Sequence, residues 1–528
     1  MAEVIIVGAG ASAVAAAMEL VEQGIVPLIL DVGVEPDAPA ARGSGNLYDY
    51  KSSEDSFRLT IGDRLQGLHN LLGRTPVPVK LTTPNAEYVT RGAATWGPID
   101  AHEFRAIQSF ASGGLANAWG AGLYRFSAHD MDGFPITVHE LDPYFDRLTA
   151  AIGISGADDD LTPYFGSPRG LLPPLLLSTN VGQIYDAYRR RRKRLSPSFH
   201  LGRARVAALT VPFDGREPVP YDNLEFWQEH PSLYTPRYTL EKLVAGGRVD
   251  YRRGVRVRSF VEREDGIAVQ AVDTTSNSPL VFNGRVLILA AGAINTARIV
   301  LESFADYETA LPLLENPAIQ IPFVLPAAIG RALDTTAFGL VQLNLVWEST
   351  TFAAICQGSL MEITSPLRAE FFASLPYAAH ANLGLIRHLL PAMVVMQMYL
   401  PGSGQAPARV SLQRNGRLRI DGHPNSVDLG RTAPMFRFMR AIGAWSHPAL
   451  VVRVPTGHAI HYAGSLPMRH HPGPMECTPA GLLHPTRAVY IGDSASFPHL
   501  PAKNMSFGMM ANAMRVAAEA ARRLREGA

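Results

Sequence analysis

Four histidines fall within fourteen positions near the end of the chain: His458, His461, His470 and His471, in "GHAIHYAGSLPMRHH" (457–471). Imidazoles this close can bind a metal, handle a proton, or sit on a solvated loop. His458 and His461 are three apart, so a helix would put them on one face, with His470, His471 or Cys477 completing a zinc site. Gly457, Gly464 and Pro467 argue against a continuous helix, and no metal is expected. Cys356 and Cys477 are the only cysteines, which excludes a CxxC zinc pair and a disulfide framework. The "GDS" at 492–494 lacks the G-x-S-x-G elbow of a hydrolase nucleophile. Local spacing leaves a catalytic base, a structural histidine and a metal ligand all open, so the elements around the cluster have to decide.

The first of these is "EVIIVGAGASAVAAAMELVEQGIVPLILDVG" (3–33), which reads as strand, glycine turn, helix and second strand. Val4–Val7 form the continuous apolar run of a strand buried on both faces of a parallel sheet. Gly8 and Gly10 let the backbone turn sharply and approach a pyrophosphate, whose charge is met by the helix N-terminus at Ala11 and Ser12. Ala13 takes the third position of the fingerprint, where the helix packs closely on the strand. Asp31 ends the second strand 21 residues after Gly10, where an acid can bind the ribose hydroxyls of an adenine dinucleotide. This motif alone does not separate NAD from FAD.

Two later segments favour FAD. "GRVLILAAGAINTARIVL" (284–301) is a buried strand ending in the small residues Ala291 and Gly292 before a helix. "RAVYIGDSASFPHLPAKN" (487–504) is a strand ending in Gly492 and Asp493. A fingerprint followed by two such strand ends is the layout of FAD-binding oxidoreductases related to glutathione reductase, with Asp493 at the ribityl or pyrophosphate region. A nicotinamide-dependent dehydrogenase has no need of the Gly492–Asp493 strand end.

With "SGGLANAWGAG" (112–122), "HYAGSLPM" (461–468) and "VYIGDSASFPHLPAKNMSFGMMANAMRVAA" (489–518) added, the chain resembles the glucose–methanol–choline (GMC) oxidoreductase family over most of its length. The resemblance implies an α/β, Rossmann-like FAD domain assembled from residues 1–36, 86–130, 236–305 and 455–528. It implies an α+β substrate domain, with a mainly antiparallel sheet, from 37–85, 131–235 and 306–454. It places Asn117 and Trp119 beside the flavin, the adenine near the backbone of Val257, and Met505 at the helix start that faces the flavin pyrimidine. It makes His461 the active-site base and Asn504 its partner, and leaves His458, His470 and His471 as ordinary histidines. Some sugar oxidases of the family carry a flavin-linked histidine just before the tryptophan of the glycine loop. Ala118 stands there, so FAD is expected to be noncovalent.

Between the motifs, "GRTPVPVKLTTPNAEYVTRG" (73–92) reads as extended segments, and a helix is expected after Pro135 with Asp142 and Pro143 in its first turn. Residues 247–264 read as strands returning to the FAD domain, 408–421 as an antiparallel hairpin of the substrate domain, and 504–527 as a helix. The six basic residues Arg189–Arg194 read as a solvated helix end. In 528 residues, 47% apolar and 18% charged, a formal charge of +1 gives no case for nucleic acid. The most membrane-like run, 389–402, carries Pro391 and Gln397 and is shorter than the roughly 18 residues of a span. No secretory leader is read at the N-terminus, and a cytoplasmic location is expected.

The expected function is oxidation of an alcohol by hydride transfer to FAD, with oxygen or another acceptor taking the electrons afterwards. The closest resemblance is to members acting on sugars or glycosides, including FAD enzymes of aminoglycoside antibiotic biosynthesis, which implies a sugar, amino sugar or glycoside hydroxyl. Sterol or simple-alcohol oxidation, a nicotinamide dehydrogenase and a non-catalytic flavin binder are the alternatives. An ammonium substrate would need a carboxylate near the flavin, for which Glu348, Glu362 and Glu370 are the candidates. Because Ala118 offers no attachment, acid or heat should release free FAD from the purified protein. Flavin that stays with the denatured polypeptide would contradict this.

Overall fold

Val4, Ile5, Ile6 and Val7 are almost wholly buried because their strand, β1 (Ala2–Val7), lies in the middle of a sheet. The computed structural model describes residues 1–36, 58, 61–69, 77–218, 232–334, 339–363, 379–402 and 407–526. In the first sheet β1 pairs in parallel with β2 (Leu28–Leu30) and β8 (Pro279–Leu289). β5 (Asp250–Arg252) extends the parallel part beyond β2, and β17 (Val489–Ile491) pairs in parallel with the last residues of β8. β6 (Val255–Arg263) and β7 (Gly266–Asp273) join antiparallel on the first half of β8.

Helix Ala11–Glu22 covers this sheet with the fully buried Ala13, Ala15, Ala16 and Ala17. Their small side chains bring the helix close to the strands and to the final helix, Ser506–Glu526, which packs along it. Both helices and the parallel strands share one hydrophobic core.

A second sheet runs in the order β16 (Val452–Arg453), β10 (Ala318–Val324), β13 (Met393–Tyr399), β12 (Ala354–Glu362), β11 (Leu343–Ser349) and β4 (Phe199–Arg203), antiparallel throughout. Side chains alternate across it as a pleated strand requires. Ile319, Ile321, Phe323, Val394, Met396, Met398 and Leu360 form a separate core under helices Thr179–Arg191 and Ala433–Ala441. The apolar run 389–402 is therefore largely the central strand β13, with Val394, Met396 and Met398 in the second core and Val395 and Gln397 on the other face. Among the described residues no helix is long and apolar enough to cross a membrane.

The hairpin expected at 408–421 forms as β14 (Ala408–Leu412) and β15 (Leu418–Asp421), but away from the second core. It joins β3 (Ile99–His102) and β9 (Leu311–Leu313), and its buried Val410, Leu412, Leu418 and Ile420 pack into the first core. The described part of 73–92 is not extended: Val79–Leu81 and Glu87–Thr90 are single helical turns, in keeping with the turn-forming Pro78 and Pro84-Asn85. The helix after Pro135 begins at Asp142, with Pro143 in its first turn. Arg189–Arg194 end a helix and are exposed, with Arg192 paired to Asp160 at 2.8 Å.

Candidate active site

A cavity of about 950 Å³ runs from the carboxyl edge of the parallel strands to the free face of the second sheet. Gly8 N donates to Leu30 O and Gly492 N to Leu289 O, so the ladder continues past the strand ends and brings their loops level. Gly8 adopts φ +101°, and a Cβ there would stand 2.6 Å from Ala290 O, which only glycine avoids. Gly8, Gly10, Ala11, Ser12, Asp31 and Val257 line this end, as do Ala291, Gly292 and Asp493. Ala13 and Gly492 do not. Ala13 is buried in the helix–sheet contact, and Gly492 packs against Ile288.

These residues fit an adenine dinucleotide on three observations. The helix starting at Ala11 has no side-chain cap at Gly10 and no acid in its first turn, so its leading N–H groups are free for an anion. Ser12 Oγ is buried without a partner at the same terminus. Asp31 is buried; Tyr251 Oη donates to it at 3.0 Å and the Val32 backbone also bonds to it, yet burial pushes its carboxyl up to about 7. Ribose hydroxyls would add donors that offset this burial. Asp493 is better satisfied: Gly292 N (2.8 Å) and Thr296 Oγ1 (2.6 Å) donate to Oδ2, and Ala495 N (2.9 Å) to Oδ1. It knits two strand ends together as well as facing the cavity.

Midway along, Trp119, Ala118 and Met505 line the wall. Trp119 is oriented by its Nε1–H bond to Tyr234 O at 3.0 Å. Asn117 lies behind the wall, its amide donating to Ser112 O (2.7 Å) and Gly114 O (2.9 Å), so it shapes the glycine loop from within.

His461 and Asn504 line the same cavity. His461 sits in the loop after Gly457, with Nδ1 at 3.2 Å from Asn316 Oδ1 and its ring 4.6 Å from that of Tyr399. An acceptor at Nδ1 selects the tautomer whose Nε2 carries the lone pair. Burial, with the charge of Lys80, lowers its pKa to about 3, so the ring is neutral. Asn504 Oδ1 is buried and unpartnered. Its loop is anchored from three sides. Asn316 Nδ2 donates to Pro501 O (2.9 Å), Gln357 N donates to Ala502 O (3.1 Å), and buried Lys503 reaches Asp130 at 2.5 Å.

The other histidines separate. His458 lines the cavity, its Nε2 buried without a partner and its pKa lowered to about 4, first by burial. His470 and His471 are exposed, and the Cys477 thiol bonds to Leu466 O. Among the described residues no cluster of three or more His, Cys, Asp or Glu could hold a metal ion. Asn316, Tyr399, Tyr251 and Lys80 escaped the sequence reading. Asn316 is 145 residues from His461, and no local pattern joins them.

No protein-family model matches the chain. It is 27% identical over 186 residues to 2-methyl-1,2-propanediol dehydrogenase of Mycolicibacterium austroafricanum, a match covering 33% of the chain and 32% of that protein. The chain thus matches about a third of that relative's length. Its fold is similar to pyridoxine 4-oxidase from Mesorbium loti, at 14% identity and a TM-score of 0.60, over 98% of this chain and 99% of that one. It is also similar to an FAD-dependent oxidoreductase from Chaetomium thermophilum, at 14% identity and a TM-score of 0.58, over 99% and 100%. The fold is that of FAD-binding oxidoreductases: a Rossmann-like domain with a sheet-rich second part.

Replacing Asp31 by Ala should lower the FAD retained through purification, and Tyr251→Phe should lower it less. Equal FAD content in all three proteins would count against the ribose contact. Lys503→Met leaves the Asp130 carboxylate buried and unpaired, and should cost about 3–5 kcal/mol of stability. A thermal melt checks this, and Asp130→Asn in the Lys503→Met background should recover part of the loss.

Proposed function

We propose that this protein binds FAD noncovalently and oxidises an alcohol, with His461 as the general base and Asn504 as its partner, as a member of the GMC family. One observation carries the reading: His461, oriented by Asn316, and Asn504 share one cavity with the uncapped helix terminus and Asp31. FAD, when bound, supplies the two-electron acceptor for the hydride of the carbinol carbon. His461 Nε2 takes the hydroxyl proton, and the Asn504 amide orients the same oxygen. Burial makes imidazolium costly here, so the proton is best held beside compensating negative charge. The segments of the first core, the hairpin 408–421 included, serve the cofactor, and the second sheet serves the substrate.

The substrate is a small, carbohydrate-like alcohol, by the resemblance to sugar- and glycoside-oxidising members; the relative named for a 1,2-diol is in keeping with more than one hydroxyl. The amino-sugar form of this reading loses two of its three carboxylates. Glu348 is exposed and accepts from Tyr164 Oη. Glu362 points into the opposite face of the sheet, where Ser178 Oγ bonds it at 2.6 Å. Glu370 lies outside the described residues. Asp31 and Asp493 are the only acids lining the cavity among the described residues, and both stand at the dinucleotide end.

Anaerobic mixing with alcohols should bleach the flavin band of the wild type. His461→Ala should remain folded and yellow but be reduced roughly 10²–10⁴-fold more slowly. Asn504→Ala should also slow reduction, and less than additively with His461→Ala. Near-normal reduction in His461→Ala would remove the assignment. A visible spectrum without flavin would instead favour the nicotinamide reading.

A further inference from the structure

The free face of the second sheet carries a row of uncharged polar side chains that the proposed reaction leaves unused. Gln397 on β13 pairs across to Gln320 on β10 and to Ser359 on β12, and all three line the cavity. Neighbours in such a row are about 4.8 Å apart, so the three can converge on one ligand group. The row lies one pleat, about 6.6 Å, from the Tyr399 row that meets the His461 ring. One pleat further on, Pro322, Val395 and Met361 close the face with apolar surface.

The hydrogen bonds that Gln397 and Ser359 make use only part of the donors and acceptors these side chains carry. Gln397 Nε2 donates to Tyr399 Oη at 2.9 Å, and Ser359 Oγ accepts from Asn344 Nδ2 at 3.1 Å. Asn344 and Gln357 stand on the same face of the sheet but do not line the cavity. Carboxamides and a serine hydroxyl each offer a donor and an acceptor, as a ligand hydroxyl does. Charge narrows the class further. The described acids that line the cavity, Asp31 and Asp493, stand at its dinucleotide end, so an ammonium group would meet no carboxylate at this row.

We propose that Gln320, Ser359 and Gln397 form a subsite for a second hydroxyl of the substrate, so that the preferred substrates are uncharged polyols or glycosides and not monohydric alcohols. The inference rests on the alcohol-oxidation reading and names what that site selects.

The test uses the holoenzyme and matched pairs: xylitol with pentanol, and methyl glucoside with cyclohexylmethanol. Anaerobic flavin reduction gives kcat/KM for each. In the wild type at least one polyol should exceed its monohydric partner by about tenfold or more. Gln397→Leu, Gln320→Leu and Ser359→Ala should each erode that preference, mainly through KM for the polyol. FAD content and thermal midpoint identify any variant that fails to fold, and the remaining two decide. Wild-type kcat/KM for the monohydric member equal to or above that of the polyol in both pairs would overturn the subsite, as would variants that lose activity equally on both members. If no alcohol in either pair reduces the flavin while the protein is yellow and folded, the alcohol-oxidation reading itself fails, and the subsite with it.

Discussion

Val7, Leu30, Leu289 and Ile491 stand level across four parallel strands, and the remainder of the site hangs on that register. Parallel strands leave a sheet on one side, so the loops that follow them meet at one edge. Gly8, Asp31, the turn at Ala290–Gly292 and Asp493 come together there from segments hundreds of residues apart. A register is weakly specified by hydrophobic pattern when strands are buried on both faces, as β1 and the last residues of β8 are. Here the contact of Gly8 with Ala290 O, and the bonds from Gly292 and Thr296 to Asp493, pin it from the loops.

The cavity joins two kinds of wall for a physical reason. A parallel sheet presents backbone ends and helix termini, which suit phosphate and ribose. An antiparallel sheet with one face on a core presents side chains at alternate positions on the other, which suits a substrate of particular shape. His461 lies at the junction: its loop bonds to β9's neighbour Leu314 and to Ser494 after β17, and its ring meets Tyr399 of β13. Burial at this junction is costly in several groups at once. Glu315, beside Asn316, is raised to about 7 by burial despite accepting from Gly457 N. Asp31 behaves likewise: its carboxyl ionises near 3.8 in the unfolded chain and near 7 when folded, so it withdraws stability as pH rises through that interval. A ligand that donates to Asp31 offsets the cost.

What could be read in the residues beforehand is local by nature. The strand–turn–helix of residues 2–22, the acid 21 residues past Gly10, the hairpin at 408–421 and the final helix each depend on propensity, periodicity or glycine chemistry within a short window. The same window misled where a pattern lacked its context. Residues 79–90 looked extended but turn, and the hairpin, correct in itself, joined the other core because sheet partners are chosen by distant strands. Glu362 was a reasonable carboxylate until strand alternation set it on the face away from the cavity.

By itself the sequence determined that a dinucleotide-type turn opens the chain, that small residues close the later strands, and that His461 and Asn504 sit in loops beside them. Only the tertiary structure decided that these residues line one cavity, that Asn316 holds the ring of His461, and that Gln320, Ser359 and Gln397 share a row. The reason is physical. Local chemistry is encoded in neighbouring residues, whereas the meeting of side chains 145 positions apart depends on sheet register, packing and the hydrogen bonds that close the loops.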